Sequence, residues 1–521
     1  MSNRESMLVP EATECDYLPD VLTIFVVGAS GDLAKKKTYP SLFDLHRHGF
    51  LISDKTIICG YARSPKSDED FRDQLMPYLK DGTEEEKKEF LDLCIYRKGA
   101  YDSTDDVASV FEELKEKEAE LGEGGKVNRL FYFAIPPTVF VPIGKSIKEA
   151  VIDRAGESVG WSRLIVEKPF GKDSESFQEL SSDMKALYSE DYIYRIDHYL
   201  GKEMVQNLLI LRFSNAIFEP LWNRNHVKSV TITFKENFGT KGRGGYFDSY
   251  GIIRDVIQNH LLQVMSLVAM EPPVKVTGEG SANYIRDEKV KVLNCIDPVK
   301  LEDCVLGQYL AAPDGSEVAY TEDDTVPDDS VTPTFATIVL WIKNPRWDGV
   351  PFIIKAGKAL NERKADIRVQ FKNAPGSGNL FDGQTITENE LVMRLQPDEA
   401  VYIKTNVKKP GLATKPIMSE LDLSYKERYD VELFDAYTRL ILEVIRGRQA
   451  TFVRDDELKA SWDIFTPLLH QIDDGKVNPI LYEYGSRGPP ESDQLTERVG
   501  YHYHGGNYTW EKNETIGEQE I

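Results

Sequence analysis

The feature that most constrains this chain is an alternation confined to its first 200 residues. Short apolar, β-branched runs at 21–27, 56–60, 130–135, 164–166 and 192–196 are separated by amphipathic stretches at 71–79, 107–121 and 177–187. Strands that are apolar on both faces and spaced by helices must be covered on both sides, which predicts parallel βαβ units. The expectation is a doubly wound domain over 21–200, preceded by a tail at 1–20. Beyond residue 200, Val230, Ile232 and Phe234 alternate with Thr231, Thr233 and Lys235, a period of two that predicts a sheet with one face buried. Further strands are expected at 334–342, 352–355, 367–371, 391–395 and 401–405, and helices at 204–211, 252–270 and 435–445. Few helices intervene, so 201–521 reads as a larger α+β domain with a mainly antiparallel sheet. The fold class is therefore α/β in the first part and α+β in the second. Segments 321–329 and 373–383 are expected to be solvated loops.

Composition narrows the function. The 521 residues carry 63 Lys and Arg against 86 Asp and Glu, a formal charge of −23. No run approaches the roughly 20 uninterrupted apolar residues of a membrane helix, so no membrane partner is expected. The acidity argues against nucleic acid, whose binding needs net positive charge. It also means that an anionic ligand must be captured by locally gathered cations. Cys15, Cys59, Cys94, Cys295 and Cys304 are odd in number and scattered, which suits a reducing compartment and gives neither a disulfide framework nor a metal site. The N-terminus carries Glu5, Glu11, Glu14, Asp16 and Asp20 and no apolar core, so the cytoplasm is the expected location.

Local clusters then carry the chemistry. The first strand runs into Gly28-Ala29-Ser30-Gly31-Asp32-Leu33-Ala34-Lys35, a strand, glycine turn and helix start that presents backbone N–H groups to a pyrophosphate. The second strand is followed by Arg63 with no carboxylate nearby, which favours a 2′-phosphate and hence NADP over NAD. Arg195-Ile196-Asp197-His198-Tyr199-Leu200-Gly201-Lys202 closes the last strand of the first domain. With His198 and Lys202 four apart, one helical turn would bring both to one face as a phosphate site. His260 falls on an apolar helical stripe with Ile253, Val256, Ile257, Val264 and Leu267, a pattern that fits a core histidine as well as a catalyst. Asp255, five positions away, would not share its face, so an orienting carboxylate must come from elsewhere, with Asp197 a candidate. Glu236 continues the register of the strand at 230–234, as a rim charge or a ligand to sugar hydroxyls. Lys358-Ala359-Leu360-Asn361-Glu362-Arg363-Lys364 supplies a third cationic cluster.

Together with Glu167-Lys168-Pro169-Phe170-Gly171, these motifs resemble the glucose-6-phosphate dehydrogenase family, from about residue 22 to residue 510. The resemblance implies a Rossmann-type first domain and a second domain for substrate binding and oligomerisation. It implies oxidation of D-glucose 6-phosphate at C1 to 6-phospho-D-glucono-1,5-lactone with NADP⁺ as acceptor, the entry to the oxidative pentose phosphate pathway. It implies His260 as the general base oriented by Asp197, and His198, Tyr199 and Lys202 on the sugar phosphate. Glu236, Asp255, Lys358 and Arg363 would contact the rest of the substrate, and Lys168 would lie between substrate and coenzyme. Gly28 to Lys35, Arg63 and Phe140 would meet the coenzyme, with Phe140 replacing the tyrosine of the family pattern. A second, structural NADP is implied at Lys364, Arg368, Arg394, Tyr402, Lys404, Asp422, Arg487, Tyr503 and Trp510, in a homodimer or homotetramer. Segment 150–159 looks like an extended surface loop. A catalytically silent NADP-sensing regulator and a dehydrogenase of another sugar phosphate are the alternative readings.

Overall fold

In the computed structural model of the protein, which describes residues 20–501 apart from 123–124, 157–158, 382, 384–385, 409, 413, 415 and 425–432, the organising element is β1 (Val21–Val27), buried along its whole length. Its side chains part to two cores: Leu22, Ile24 and Val26 join one cluster, Phe25 and Val27 the other. That is what an apolar strand without alternation is built for, each large buried side chain contributing about 1.5–3 kcal/mol. Around it stand β2 (Thr56–Ala62), β3 (Cys94–Lys98), β4 (Val127–Phe133), β5 (Val159–Val166) and β6 (Ile193–Arg195), all parallel, in the order β3-β2-β1-β4-β5-β6. The order reverses at β1, so the crevice beyond its carboxyl end is the expected ligand site of a doubly wound sheet.

The second sheet has nine strands: β7 (Val227–Lys235), β8 (Cys304–Tyr309), β9 (Phe335–Trp341), β10 (Pro351–Gly357), β11 (Lys364–Phe371), β12 (Glu390–Gln396), β13 (Ala400–Lys408), β14 (Pro416–Ser424) and β15 (Ile480–Tyr482). They run β14-β13-β12-β11-β7-β10-β9-β8-β15, antiparallel except where β10 meets β7 and β15 meets β8. The α/β plus α+β architecture expected from the sequence is therefore present. The period-two reading of β7 needs correction: Thr231, Thr233 and Lys235 are buried along with Val230, Ile232 and Phe234, because the polar face is also covered.

One further expectation changes. Segment 150–159 is not simply a loop: the helix from Phe140 continues through a wide turn at Lys148–Ile152, with Ala150 and Val151 buried, and β5 begins at Val159. The helix Ala436–Ile445, far along the chain, packs Leu440, Ile441, Val444 and Ile445 into the first sheet's outer core beside Leu42 and Phe50. The tail at 1–19, Cys15, Tyr503 and Trp510 lie outside the described residues; Cys59, Cys94, Cys295 and Cys304 are free thiols.

Candidate active site

The first component is the turn after β1. Gly28 has φ +81°, and a Cβ there would sit 2.4 Å from the Ala134 carbonyl oxygen, so only glycine lets the two loops close together. Gly28 N–H donates to the Tyr61 carbonyl and Gly31 N–H to the Gly28 carbonyl, pinning the turn above β2. A helix then opens at Asp32 with its first N–H groups toward the crevice, a cradle that fits the pyrophosphate of a dinucleotide. Lys35 and Lys36 flank Asp32, each at 3.0 Å, and hold its carboxyl below the usual range. The helix widens to i→i+5 bonding over Ala34–Thr38, where Pro40 has no N–H for the Lys36 carbonyl. Arg63 stands exposed just past β2, its guanidinium 5.5 Å from the Tyr101 ring centre. Phe140 departs from expectation: it is fully buried against Phe133 in the core and presents no surface to a coenzyme.

Between the domains lies a cavity of about 460 Å³ lined by Lys168, His198, Tyr199, Glu236, Asp255, His260, Lys358 and Arg363. The chain delivers them from five separated segments. The loop after β5 brings Lys168, the turn after β6 brings Asp197 to Lys202, β7 ends at Glu236, and β10 runs on to Lys358 and Arg363. His260 comes from the long helix that begins at Ile253.

That helix explains both the ambiguity of His260 and the misreading of Asp255. Over Ile253–Leu261 the backbone bonds i→i+5, so residues five apart stack on one face. Asp255 and His260 consequently line the same cavity, contrary to the expectation from an ordinary helix. Side chains hold the wide turn open: the Asp255 carbonyl accepts from the Lys168 ammonium at 2.8 Å and from the Asn259 amide at 3.1 Å.

His260 is buried, yet it is not sealed in the core. Its Nδ1 donates to Asp197 Oδ1 at 2.6 Å, since an ionised carboxylate only accepts, which leaves Nε2 as the ring nitrogen available to the cavity. The ring stacks on Tyr199 at 4.7 Å and meets His198 edge-on at 4.3 Å. Burial lowers the His260 pKa; Asp197 opposes this and Lys168 adds to it. Burial would raise Asp197, but His260 and the Tyr199 N–H outweigh it and hold the carboxyl below its usual range. For His198, burial together with His260, Lys168 and Lys202 keeps the ring far below its ordinary value and hence neutral. Asp197, His198 and His260 also bring ligand atoms within 4.8 Å of one another, although Nδ1 of His260 is already engaged.

His198 and Lys202 do not share an α-helical face. His198–Gly201 is a tight 3₁₀ turn capped by Asp197, and Lys202 opens the helix Glu203–Ser214. Lys202 instead reaches the cavity wall by stacking on Tyr199 at 4.8 Å and donating to Gln396 Oε1 at 2.8 Å. Gln396, at the end of β12, lines the cavity and was missed in the sequence, where it reads as an ordinary strand end. Glu167 was missed too. It is buried beneath Lys168, accepts from the Tyr132 hydroxyl at 2.6 Å, and burial pushes its pKa up to about 7.

The expected second nucleotide site maps to one face of the larger sheet. Register pairs Asp366 with Arg394, Glu390 with Lys404 and Tyr402 with Asp422, so Lys364, Arg368, Arg394, Tyr402, Lys404 and Asp422 point the same way. Arg487 lies near Asp493, which also faces Lys355 of β10.

Comparison with known proteins follows the same division. Residues 25–207 match the family model "Glucose-6-phosphate dehydrogenase, NAD binding domain", and residues 209–504 match its C-terminal domain. The chain belongs to the glucose-6-phosphate dehydrogenase family. It is 55% identical over 500 residues to glucose-6-phosphate 1-dehydrogenase 5, cytoplasmic, of Arabidopsis thaliana, covering 94% of this chain and 93% of that relative. It is 53% identical to glucose-6-phosphate 1-dehydrogenase of Dictyostelium discoideum, covering 96% and 98%. Among solved structures, a glucose-6-phosphate dehydrogenase in complex with glucose 6-phosphate superposes with TM-score 0.87 at 46% identity, covering 93% and 98%. As a glucose-6-phosphate dehydrogenase family member the protein is an oxidoreductase with a nicotinamide-dinucleotide domain. The two Arabidopsis thaliana relatives are named as cytoplasmic enzymes.

Proposed function

We propose that the interdomain cavity oxidises D-glucose 6-phosphate at C1 to 6-phospho-D-glucono-1,5-lactone, with His260 Nε2 taking the proton of the C1 hydroxyl. The observation that carries this reading is the buried Asp197–His260 hydrogen bond at 2.6 Å, beside a cavity walled by cations. Its lowered pKa leaves His260 neutral and ready to accept a proton at pH 7, and Asp197 stabilises the imidazolium that results. His198, Tyr199 and Lys202 gather where the sugar phosphate would sit, and Arg363, expected on the rest of the substrate, is close enough for its charge to act on Tyr199 and Lys202. Lys358 pairs with Glu236 at 2.5 Å and Lys168 with Asp255 at 3.3 Å, giving paired donors and acceptors for the sugar hydroxyls. Anchoring the substrate by its distant phosphate converts binding energy into orientation of C1.

NADP⁺ is the proposed acceptor, held by the Gly28–Lys35 turn with Arg63 at the 2′-phosphate; when bound it supplies the hydride acceptor. The second, structural NADP is proposed for the face carrying Lys364, Arg368, Arg394, Tyr402, Lys404 and Asp422, within a homodimer or homotetramer. Reduced-nicotinamide absorbance with glucose 6-phosphate and each coenzyme tests the reading. Arg63→Ala is expected to weaken NADP⁺ by about ten- to a hundredfold, the worth of one charge-assisted contact, and NAD⁺ far less. Equal losses would place the 2′-phosphate elsewhere.

A further inference from the structure

The cavity cations differ in how they are engaged. Lys168 is paired with Asp255, Lys358 with Glu236 and Lys241 with Glu317, while Lys202 is held by Gln396. Among the described residues, the two arginines of the cavity, Arg363 and Arg243, have no carboxylate at ion-pair distance. In a chain of net charge −23, two unpaired guanidiniums in one cavity mark places kept for anions. They sit at different ends. Arg363 is close enough for its charge to act on Tyr199 and Lys202. Arg243 lies against Tyr246, whose hydroxyl also feels Asp255, the partner of Lys168.

The setting of Arg243 points toward the first domain. Its guanidinium is 5.3 Å from the Tyr246 ring centre, Tyr246 lies 5.0 Å from Tyr250, and the Lys172 ammonium lies 5.2 Å from Tyr250. This cation–aromatic series spans the cleft from the second domain to the loop just after Lys168. Its base is rigid. A Cβ on Gly244 would meet Asp323 at 2.8 Å, and the Gly245 N–H donates to Thr325 Oγ1 at 2.9 Å, so the loop at 321–329 buttresses the turn.

We infer that Arg243, held by Tyr246, grips the diphosphate of the dinucleotide coenzyme from the second domain. The inference rests on the dehydrogenase reading of this cavity. That reading brings two anions to the cleft: Arg363 acts on Tyr199 and Lys202, which are proposed for the sugar phosphate, while Arg243 belongs to the aromatic series that reaches Lys172. A guanidinium suits a diphosphate because it donates in pairs.

Steady-state kinetics with each substrate varied, together with NADPH fluorescence titration in the absence of sugar, tests the assignment. Arg243→Gln is expected to raise KM for NADP⁺ and Kd for NADPH by about ten- to a hundredfold, the loss of a charge-assisted contact. Arg243→Lys recovers part of this as a point charge. Tyr246→Leu weakens NADPH severalfold, Tyr246→Phe does not, and the sugar-phosphate KM stays within about threefold throughout. Melting curves verify folding, and Arg243→Lys carries the test where Arg243→Gln melts early. NADPH binding unchanged in Arg243→Gln, or a loss confined to the sugar-phosphate KM, overturns the inference. Since the titration needs no turnover, that result is distinct from a wild-type protein that fails to oxidise glucose 6-phosphate, which would remove the parent reading.

Discussion

The interdomain cavity and the face of the larger sheet both gather cations in an acidic protein, yet they dispose of them in opposite ways. In the cavity Arg363 and Arg243 are left without carboxylates among the described residues, and the lysines hold single partners at the wall. On the sheet face Arg368 is clamped between Asp366 at 2.8 Å and Glu390 at 2.9 Å, with Lys364 on Asp366 and Lys404 between Glu390 and Glu420. Burial works against the Arg368 charge, but Asp366 and Glu390 outweigh it. The lesson is that cation density alone does not mark a site of reaction. A saturated network fixes strands, and a nucleotide there must share cations already engaged, whereas the guanidiniums of the cavity stand without carboxylate partners among the described residues.

The sharpest division between the two regions comes from His260→Asn. Turnover is expected to fall by about two to four orders of magnitude, the worth of a positioned base, with substrate affinity largely kept. Stopped assays with glucose 6-phosphate read this directly, and near-normal turnover would return His260 to the core. On the sheet face, Asp366→Ala should do the reverse. Removing one member of a buried ion network costs about 3–5 kcal/mol of stability, so melting drops steeply while kcat of the folded enzyme survives. A mutant melting like the wild type would show that the network is not structural.

The physical reasons for what the sequence disclosed are the same on both sides of this comparison. β1, β2 and β4 are legible because burial on both faces demands unbroken apolar runs. β3 is an edge strand with Arg97 and Lys98 at its exposed end, so it offers no such run. The glycine turn and the Asp197–Lys202 string are local and could be read. The shared face of Asp255 and His260 could not, since it depends on a helix opened by Lys168, a side chain from another domain. Phe140 shows the converse: a motif position suggested a coenzyme contact, and only packing reveals that the ring points into the core.

Two smaller effects sharpen the contrast. Lys202→Ala is expected to lower kcat/KM for glucose 6-phosphate by about ten- to a hundredfold while sparing glucose, as loss of one charged hydrogen bond would. An equal penalty on both sugars would move the phosphate elsewhere. The pH profile is the mildest test. Because burial holds His260 below 6.5, kcat/KM should climb with rising pH through a value under 6.5 and be level at 7. Asp197→Asn removes the charge that props the ring up, so the remaining activity should have its acid limb at still lower pH. A limb that moves upward instead would mean that Asp197 does not govern the ring.

The helix Ala436–Ile445 has a consequence for biosynthesis. It fills a hydrophobic seat on the first sheet, with Phe452 just beyond it, although that sheet is finished at Arg195. During translation the nascent nucleotide domain therefore emerges with an oily groove that its own chain cannot close until some 240 further residues have left the ribosome, a count set by the gap between 195 and 436. Exposed apolar surface of this kind is what makes partly made chains prone to aggregation, so truncation before residue 436 is expected to leave the first domain poorly soluble.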